Sequence, residues 1–241
     1  MAARNMEKAG ARVAQEIVQT IYDERLRPGD HYLSEGDALQ RHGVSRATFR
    51  EAIRFLEFQG VVSVRAGPGG GIIVERPDWP NLTSTFALLL QFDEASLADV
   101  MAARTALEPV MAGLAARNAT ERQLDAIGSL LALAEATVQD HDAFTEAYRA
   151  FWATVAQATG NAVTAMLWPA LRALVDTGGF VPEVRYRQKI VKSMRQLFTA
   201  LQAHDPQAAM NLLAQLDQEF SERLSSKYPE RIARTIAWSD V

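Results

Sequence analysis

Apolar residues recur at helical spacing over residues 9–24, with Val13, Ile17, Val18 and Ile21 on one face, and this predicts an opening helix. Leu26-Arg27-Pro28-Gly29-Asp30 ends it, because proline and glycine cannot continue the helical ladder. Over residues 33–74 the pattern changes character twice. Ser34 can cap a short helix, with Asp37 three residues on as a weak capping box. His42-Gly43-Val44 makes a turn, and Ser45 caps a second helix. On that helix Phe49, Ala52, Ile53 and Leu56 share one face, while Arg46, Arg50 and Arg54 take another. Val61-Val62-Ser63-Val64 and Ile72-Ile73-Val74 are β-branched runs separated by Arg65-Ala66-Gly67-Pro68-Gly69-Gly70-Gly71, which predicts a hairpin with a glycine-rich tip. Helix, turn, arginine-bearing helix and hairpin make a winged helix-turn-helix. That arrangement lays one helix in a DNA major groove and the wing along the neighbouring groove.

Beyond residue 81 no strand pattern returns, and alanine- and leucine-rich segments predict helices over 82–92, 96–118, 121–138, 142–159, 162–175, 182–203 and 206–224. Thr120 and Gln123 form a capping box, Asp205-Pro206 is an N-cap followed by proline at the first helical position, and Gly160-Asn161 closes a helix. The expected fold is therefore mainly α. A winged helix-turn-helix head (1–76) and a two-proline linker (77–81) precede an all-α effector-binding and dimerisation bundle (82–226), with a C-terminal tail (227–241).

Composition narrows the class. The chain has 241 residues, 48% hydrophobic content and no cysteine, which suits two ordinary globular domains and excludes a disulfide scaffold or thiolate site. It shows neither a secretory signal nor a long apolar run, so a cytoplasmic location without membrane contact is expected. The net charge of −4 does not advertise a nucleic-acid binder. Its distribution matters more: residues 41–65 hold five arginines against two acids, a local basic face able to meet several phosphates. Taken alone, those charges would equally suit a solvated helix.

If the head binds DNA, the first residues of its second helix, Ser45, Arg46 and Thr48, point at base edges, with Arg50 a turn further on. Arginine can grip guanine with two hydrogen bonds. Arg50 and Arg54 suit the backbone, and Arg65 and Gly67 suit the wing, where glycine admits close approach.

Arg27-Pro28-Gly29-Asp30, Leu33-Ser34-Glu35, the run from Val44 through Ala52, and Leu56-Glu57 with Gly60-Val61-Val62 resemble the head of GntR-type regulators. The remainder is similar to the FadR subfamily, through Arg104 and Glu108, through Phe151, Val155-Ala156 and Gly160-Asn161, and through Ala200, Asp205 and Ala208-Ala209. The resemblance implies a DNA-binding homodimer whose six- or seven-helix bundle senses a small molecule. The subfamily's namesake has a DNA-contacting arginine where this chain has Gly36, so its operator is not to be copied.

Most of that subfamily hold a divalent metal with an aspartate and three histidines. The matching positions here read Tyr148, Trp152, Met194 and Leu216, none of them a strong ligand. No metal and no cofactor are expected. Bulky residues in their place mean either filled core or a roomy pocket for an apolar ligand. Arg185, Arg187, Lys189, Lys192 and Arg195 lie in an acid-free stretch, with 185, 189 and 192 on one face. They fit either an anionic partner or a solvated basic face. Arg104, within an apolar helix, is a further candidate to anchor a carboxylate.

These readings converge on a homodimeric repressor of an inverted-repeat operator. Its bundle would sense a hydrophobic acid or acyl-CoA-like effector through Arg104, Tyr148, Trp152, Arg185, Lys189, Met194 and Leu216. The alternatives are a small carboxylate as effector, or a ligand-independent dimer with a filled core. No paired carboxylates, nucleophile elbow, phosphate loop or metalloprotease motif supports an enzyme.

Overall fold

The computed structural model describes residues 2–67, 71–77 and 79–240, with side chains from Ala9 onward. Residues 68–70 of the expected wing tip and Asp78 of the expected linker lie outside them. The chain divides into two compact units, Met1–Asn81 and Leu82–Val241.

In the first unit α1 (Ala2–Asp23) begins seven residues before the apolar periodicity does, and α2 (Glu35–His42) and α3 (Arg46–Phe58) follow. Ser34 caps α2 by accepting the Asp37 N–H, and Gly43 ends it in the left-handed region at φ 61°. Strands β1 (Val62–Arg65) and β2 (Gly71–Val74) pair antiparallel, with Val62 opposite Val74 and Arg65 opposite Gly71. One core ties these elements together: Val13 and Ile17 of α1, Ala38 of α2, Phe49, Ile53 and Leu56 of α3, and Val62, Ile72 and Val74 of the hairpin. The apolar face of α3 is thereby held down and its other face is left outward.

After β2 the described residues form helices only: α4 (Trp79–Phe92), α5 (Leu97–Asn118), α6 (Glu121–Ala136), α7 (His141–Ala158), α8 (Ala162–Asp176), α9 (Val184–Gln202), α10 (Pro206–Lys227), the short α11 (Pro229–Ile232) and a terminal 3-10 turn, Trp238–Asp240. Helix α4 starts inside the stretch expected to be a linker. Pro80 sits in its first turn, where a missing N–H costs nothing, so the proline starts a helix instead of preventing one. Ser96 and Thr120 close reciprocal capping boxes. Asn161 does not close α7; it is extended and caps α8, while Gly160 makes the left-handed turn at φ 69°.

Helices α5 and α10 pack closely where Gly113 meets Met210. A large core is shared by α5, α6, α7, α9 and α10, and a second joins α4, α5, α8 and the C-terminal segment. Residues after 226 are packed, not trailing: Ile236 is buried, its N–H donates to Ala95 O at 3.0 Å, and Trp238 Nε1 donates to Ser84 Oγ at 2.8 Å. No helix of the described residues is long and apolar enough to cross a membrane.

Candidate nucleic-acid interface and effector site

Burial of Phe49, Ile53 and Leu56 leaves Arg46, Arg50 and Arg54 exposed along α3. Ser45 caps that helix, its Oγ accepting from the Thr48 N–H at 3.2 Å and lying 3.0 Å from Thr48 Oγ1. Thr48 is thus buried against the cap, while Arg46 and Ala47 stay outermost at the helix start. The two nearby acids point elsewhere: Glu57 accepts the Val64 N–H of the wing at 3.1 Å, and Glu51 packs against Gly10 of α1. Arg50 meets Glu35 at 3.5 Å, an exposed pair that solvent screens to little. Arg65 is exposed at the end of β1, and Gly67 follows at φ 101°, a conformation side chains resist. A basic helix face with an uncompensated N-terminus and a basic wing is an arrangement that receives phosphates.

Inside the second unit the structure assembles a buried group of charges. Glu108 on α5, with no exposed surface, accepts from Arg104 Nε at 2.6 Å and from Arg172 Nη2 of α8. Arg104 also faces Asp217 of α10, Nη2 to Oδ1 3.6 Å. Arg172 donates from Nη1 to the Tyr148 hydroxyl at 2.8 Å, and its guanidinium lies 3.5 Å from the centre of the Trp152 ring. Trp152 in turn sits 5.6 Å from Trp168 and 5.4 Å from Phe151, ring centre to ring centre. Buried charges persist only when paired, and here two guanidinium groups share two carboxylates.

The pairing is uneven. Burial alone would raise Glu108, but Arg104 and Arg172 overrule it and hold its carboxyl below the usual range. Asp217 goes the other way: burial first, then the neighbouring Glu108 charge, push it up to about 7 against the pull of both arginines. Two polar atoms of the group, Arg172 Nε and Trp152 Nε1, have no hydrogen-bond partner. Buried polar groups are rarely left so, and a cluster of them is a mark of a functional site.

Of the residues singled out from sequence, Arg104, Tyr148 and Trp152 belong to this group. Met194 is buried in the adjoining core, and Leu216, half-buried, is chain neighbour to Asp217. Arg185 and Lys189 are exposed on α9, away from burial. Arg187, from the same acid-free stretch, is turned inward and donates to the carbonyls of Val138, Pro182 and Gln139. The sequence reading missed Arg172 and Asp217 as site residues. Arg172 is the one basic residue of the mostly apolar α8, and that was the available signal; Asp217, followed closely by Glu219 and Glu222 on α10, gave none. Among the described residues no three His, Asp or Glu side chains gather in a way that could hold a metal ion.

Comparison with known proteins agrees with this architecture. Residues 9–74 match the gntR family of bacterial regulatory proteins, and residues 99–218 match the FCD domain. The galactonate operon transcriptional repressor of Escherichia coli (strain K12) is 25% identical over 222 residues, covering 88% of this chain and 96% of that one. An uncharacterized HTH-type transcriptional regulator of Mycobacterium tuberculosis is 28% identical over 126 residues, 52% of this chain, and the match spans about half of that relative. Among solved structures, Streptococcus agalactiae GntR shares the fold at a TM-score of 0.68 and 20% identity, covering 88% of this chain and 99% of that one. With a gntR-family head followed by an FCD domain, and with relatives that are transcriptional regulators and not enzymes, this chain belongs to the GntR family of bacterial transcriptional regulators.

Proposed function

We propose that this protein is a homodimeric, cytoplasmic repressor of the FadR subfamily that binds an inverted-repeat operator and lets go when a small carboxylic acid enters its helical unit without a metal ion. Ser45, Arg46, Thr48, Arg50, Arg54, Arg65 and Gly67 form the DNA-facing set, with Arg46 reading a base and Thr48 acting through the helix cap. A two-fold dimer would place two such helices on half-sites about one helical turn apart.

The observation that carries the effector reading is the buried Arg104–Glu108–Arg172–Asp217 group beside Tyr148 and Trp152, with its unpartnered N–H donors. Such donors suit a carboxylate. They do not suit the body of an acyl chain, and the apolar side chains nearby leave it little room: Phe151 and Met194 are 0% and 1% exposed, so neither borders a space that water could enter. The name of the galactonate operon repressor, a relative along nearly its whole length, supports a small acid in the same way. Because the polar group is closed, an acid that reaches it favours a more open bundle, and only such a difference in affinity between states can shift DNA binding. The tight packing of Phe151 and Met194 also suits a second reading, a bundle filled by its own side chains that only dimerises.

The test is operator release. An operator selected by the protein from random-sequence DNA is titrated with small acids, free fatty acids and acyl-CoAs, each with and without EDTA. Release by small acids, indifferent to EDTA, is the expected result. Release by long-chain ligands alone overturns the effector class, and no release by any ligand leaves the filled-core dimer as the function.

A further inference from the structure

Residues 76–241 hold 19 Asp and Glu against 15 Lys and Arg, yet α9 carries five of those cations and no acid. Two of the five are spent: Arg187 is turned inward, and Arg195 meets Glu135 at 2.6 Å. Arg185, Lys189 and Lys192 are exposed, and among the described residues none of them has an ion-pair partner. Glu183, the acid that precedes them, faces Lys227 instead. The three cations stand four and three residues apart, so one side of the helix presents them as a stripe about 10.5 Å long. Like charges so placed repel one another, and Arg185, in the first turn, also opposes the helix dipole. A bound polyanion relieves both.

The rest of that face narrows the partner. Gln188 and Gln196 are exposed beside the stripe, and no large apolar side chain of α9 is exposed. A helix that binds a lipid surface needs apolar residues to enter it, and a protein interface needs an apolar or aromatic anchor at its centre. Cations set among glutamines suit instead a regular row of charges into which nothing is inserted. Duplex DNA is such a row: each strand carries one phosphate per about 3.4 Å of axis, so the stripe spans about three. We infer that α9 is a second DNA-contacting surface, on which Arg185, Lys189 and Lys192 neutralise phosphates of double-stranded DNA without regard to base sequence. A regulator whose head belongs to a DNA-binding family meets that polyanion on its operator. No effector is involved, so the inference stands or falls apart from the proposed sensing role.

The experiment uses the full chain and the operator selected from random-sequence DNA, as a minimal duplex and with DNA flanking it on both sides. Affinity is followed by fluorescence anisotropy across a salt series. Arg185→Gln/Lys189→Gln/Lys192→Gln removes the stripe, and Arg117→Gln/Arg122→Gln removes two exposed cations elsewhere on the helical unit as a control. On the flanked operator the slope of log affinity against log salt should fall by at least about two in the triple variant, about 0.9 for each phosphate released, and hold in the control. A difference lost on the minimal duplex places the stripe on the operator's own DNA. Two differently labelled duplexes held together by the unaltered protein, but not by the variant, place it on a second duplex; either result upholds the inference. Equal slopes for the unaltered protein and the triple variant, with no such bridging, overturn it. So does an equal fall per charge in the control, which marks a general effect of net charge. Equal slopes with altered sedimentation of the DNA-free triple variant overturn it in favour of an acidic protein face as the partner. Should the triple variant fail to fold, Lys189→Gln alone, expected to lower the slope by about one, decides the matter.

Discussion

Replacing Asp217 by asparagine should remove a pH dependence of stability that this one carboxyl builds into the helical unit. Burial and the Glu108 charge raise its pKa from an ordinary value near 3.8 to about 7 in the folded chain. Once unfolded, the same carboxyl loses its proton near the ordinary value. Between those limits the folded state therefore holds one more proton than the unfolded state. Linkage then makes the unfolding free energy fall as pH rises, by up to about 1.4 kcal/mol per pH unit, levelling off above the folded pKa. Roughly three pH units set a ceiling of about 4 kcal/mol, and relaxation around the new charge brings the expected loss to about 2–4 kcal/mol. Glu108 does not mask this: its depressed pKa contributes stability that is present above the unfolded value and lost only as pH falls through the acidic range below it.

The assay is urea unfolding from about pH 5 to about pH 8, followed by the fluorescence of Trp152 and Trp168, which flank the cluster. The Asp217→Asn variant carries every other titrating group, so the difference between the two proteins isolates this carboxyl. The unaltered protein should lose its margin over the variant as pH rises through neutrality. Parallel pH profiles for the two proteins would refute the reasoning, because Asp217 would then titrate alike folded and unfolded.

Further outcomes follow from the same geometry. Glu108→Ala strips two buried guanidinium groups of their shared carboxylate, and urea denaturation should register a loss of about 3–5 kcal/mol. Arg46→Ala should weaken the operator complex and relax preference at one base pair by about 1–3 kcal/mol, seen in a competition binding assay with substituted operators. Arg54→Ala should instead weaken all sequences alike and reduce the slope of log affinity against log salt by about one. Gly113→Val places a carbon 2.7 Å from Met210 Cγ and forces α5 and α10 apart, which should lower the denaturation midpoint by the equivalent of about 1–3 kcal/mol.

The winged head was legible from sequence because its determinants are local. Ser34 and Ser45 satisfy N–H groups three residues away, Gly43 supplies a left-handed turn in place, and the β-branched runs pair across one short loop. The helices of the second unit were legible for the same reason, through the caps at Thr120 and Asp205 and the apolar spacing between them. Arg104 and Glu108, one helical turn apart, could be read together.

Their partners could not. Arg172 reaches Glu108 across 64 residues of sequence, and which face of α8 turns inward depends on how the other helices close over it. On α10 the family pattern pointed to Leu216, while packing against α5 turns Asp217 toward Arg104, a difference of one residue or about 100° around the helix. Arg187 had the composition of a basic surface and became a buried clamp on three carbonyls, and the C-terminal segment had the composition of a tail and became part of a core. Sequence alone determined the elements, because hydrogen bonds within a helix or hairpin close over a few residues. Tertiary structure alone decided which charges meet, because burial is a property of helices brought together from distant parts of the chain.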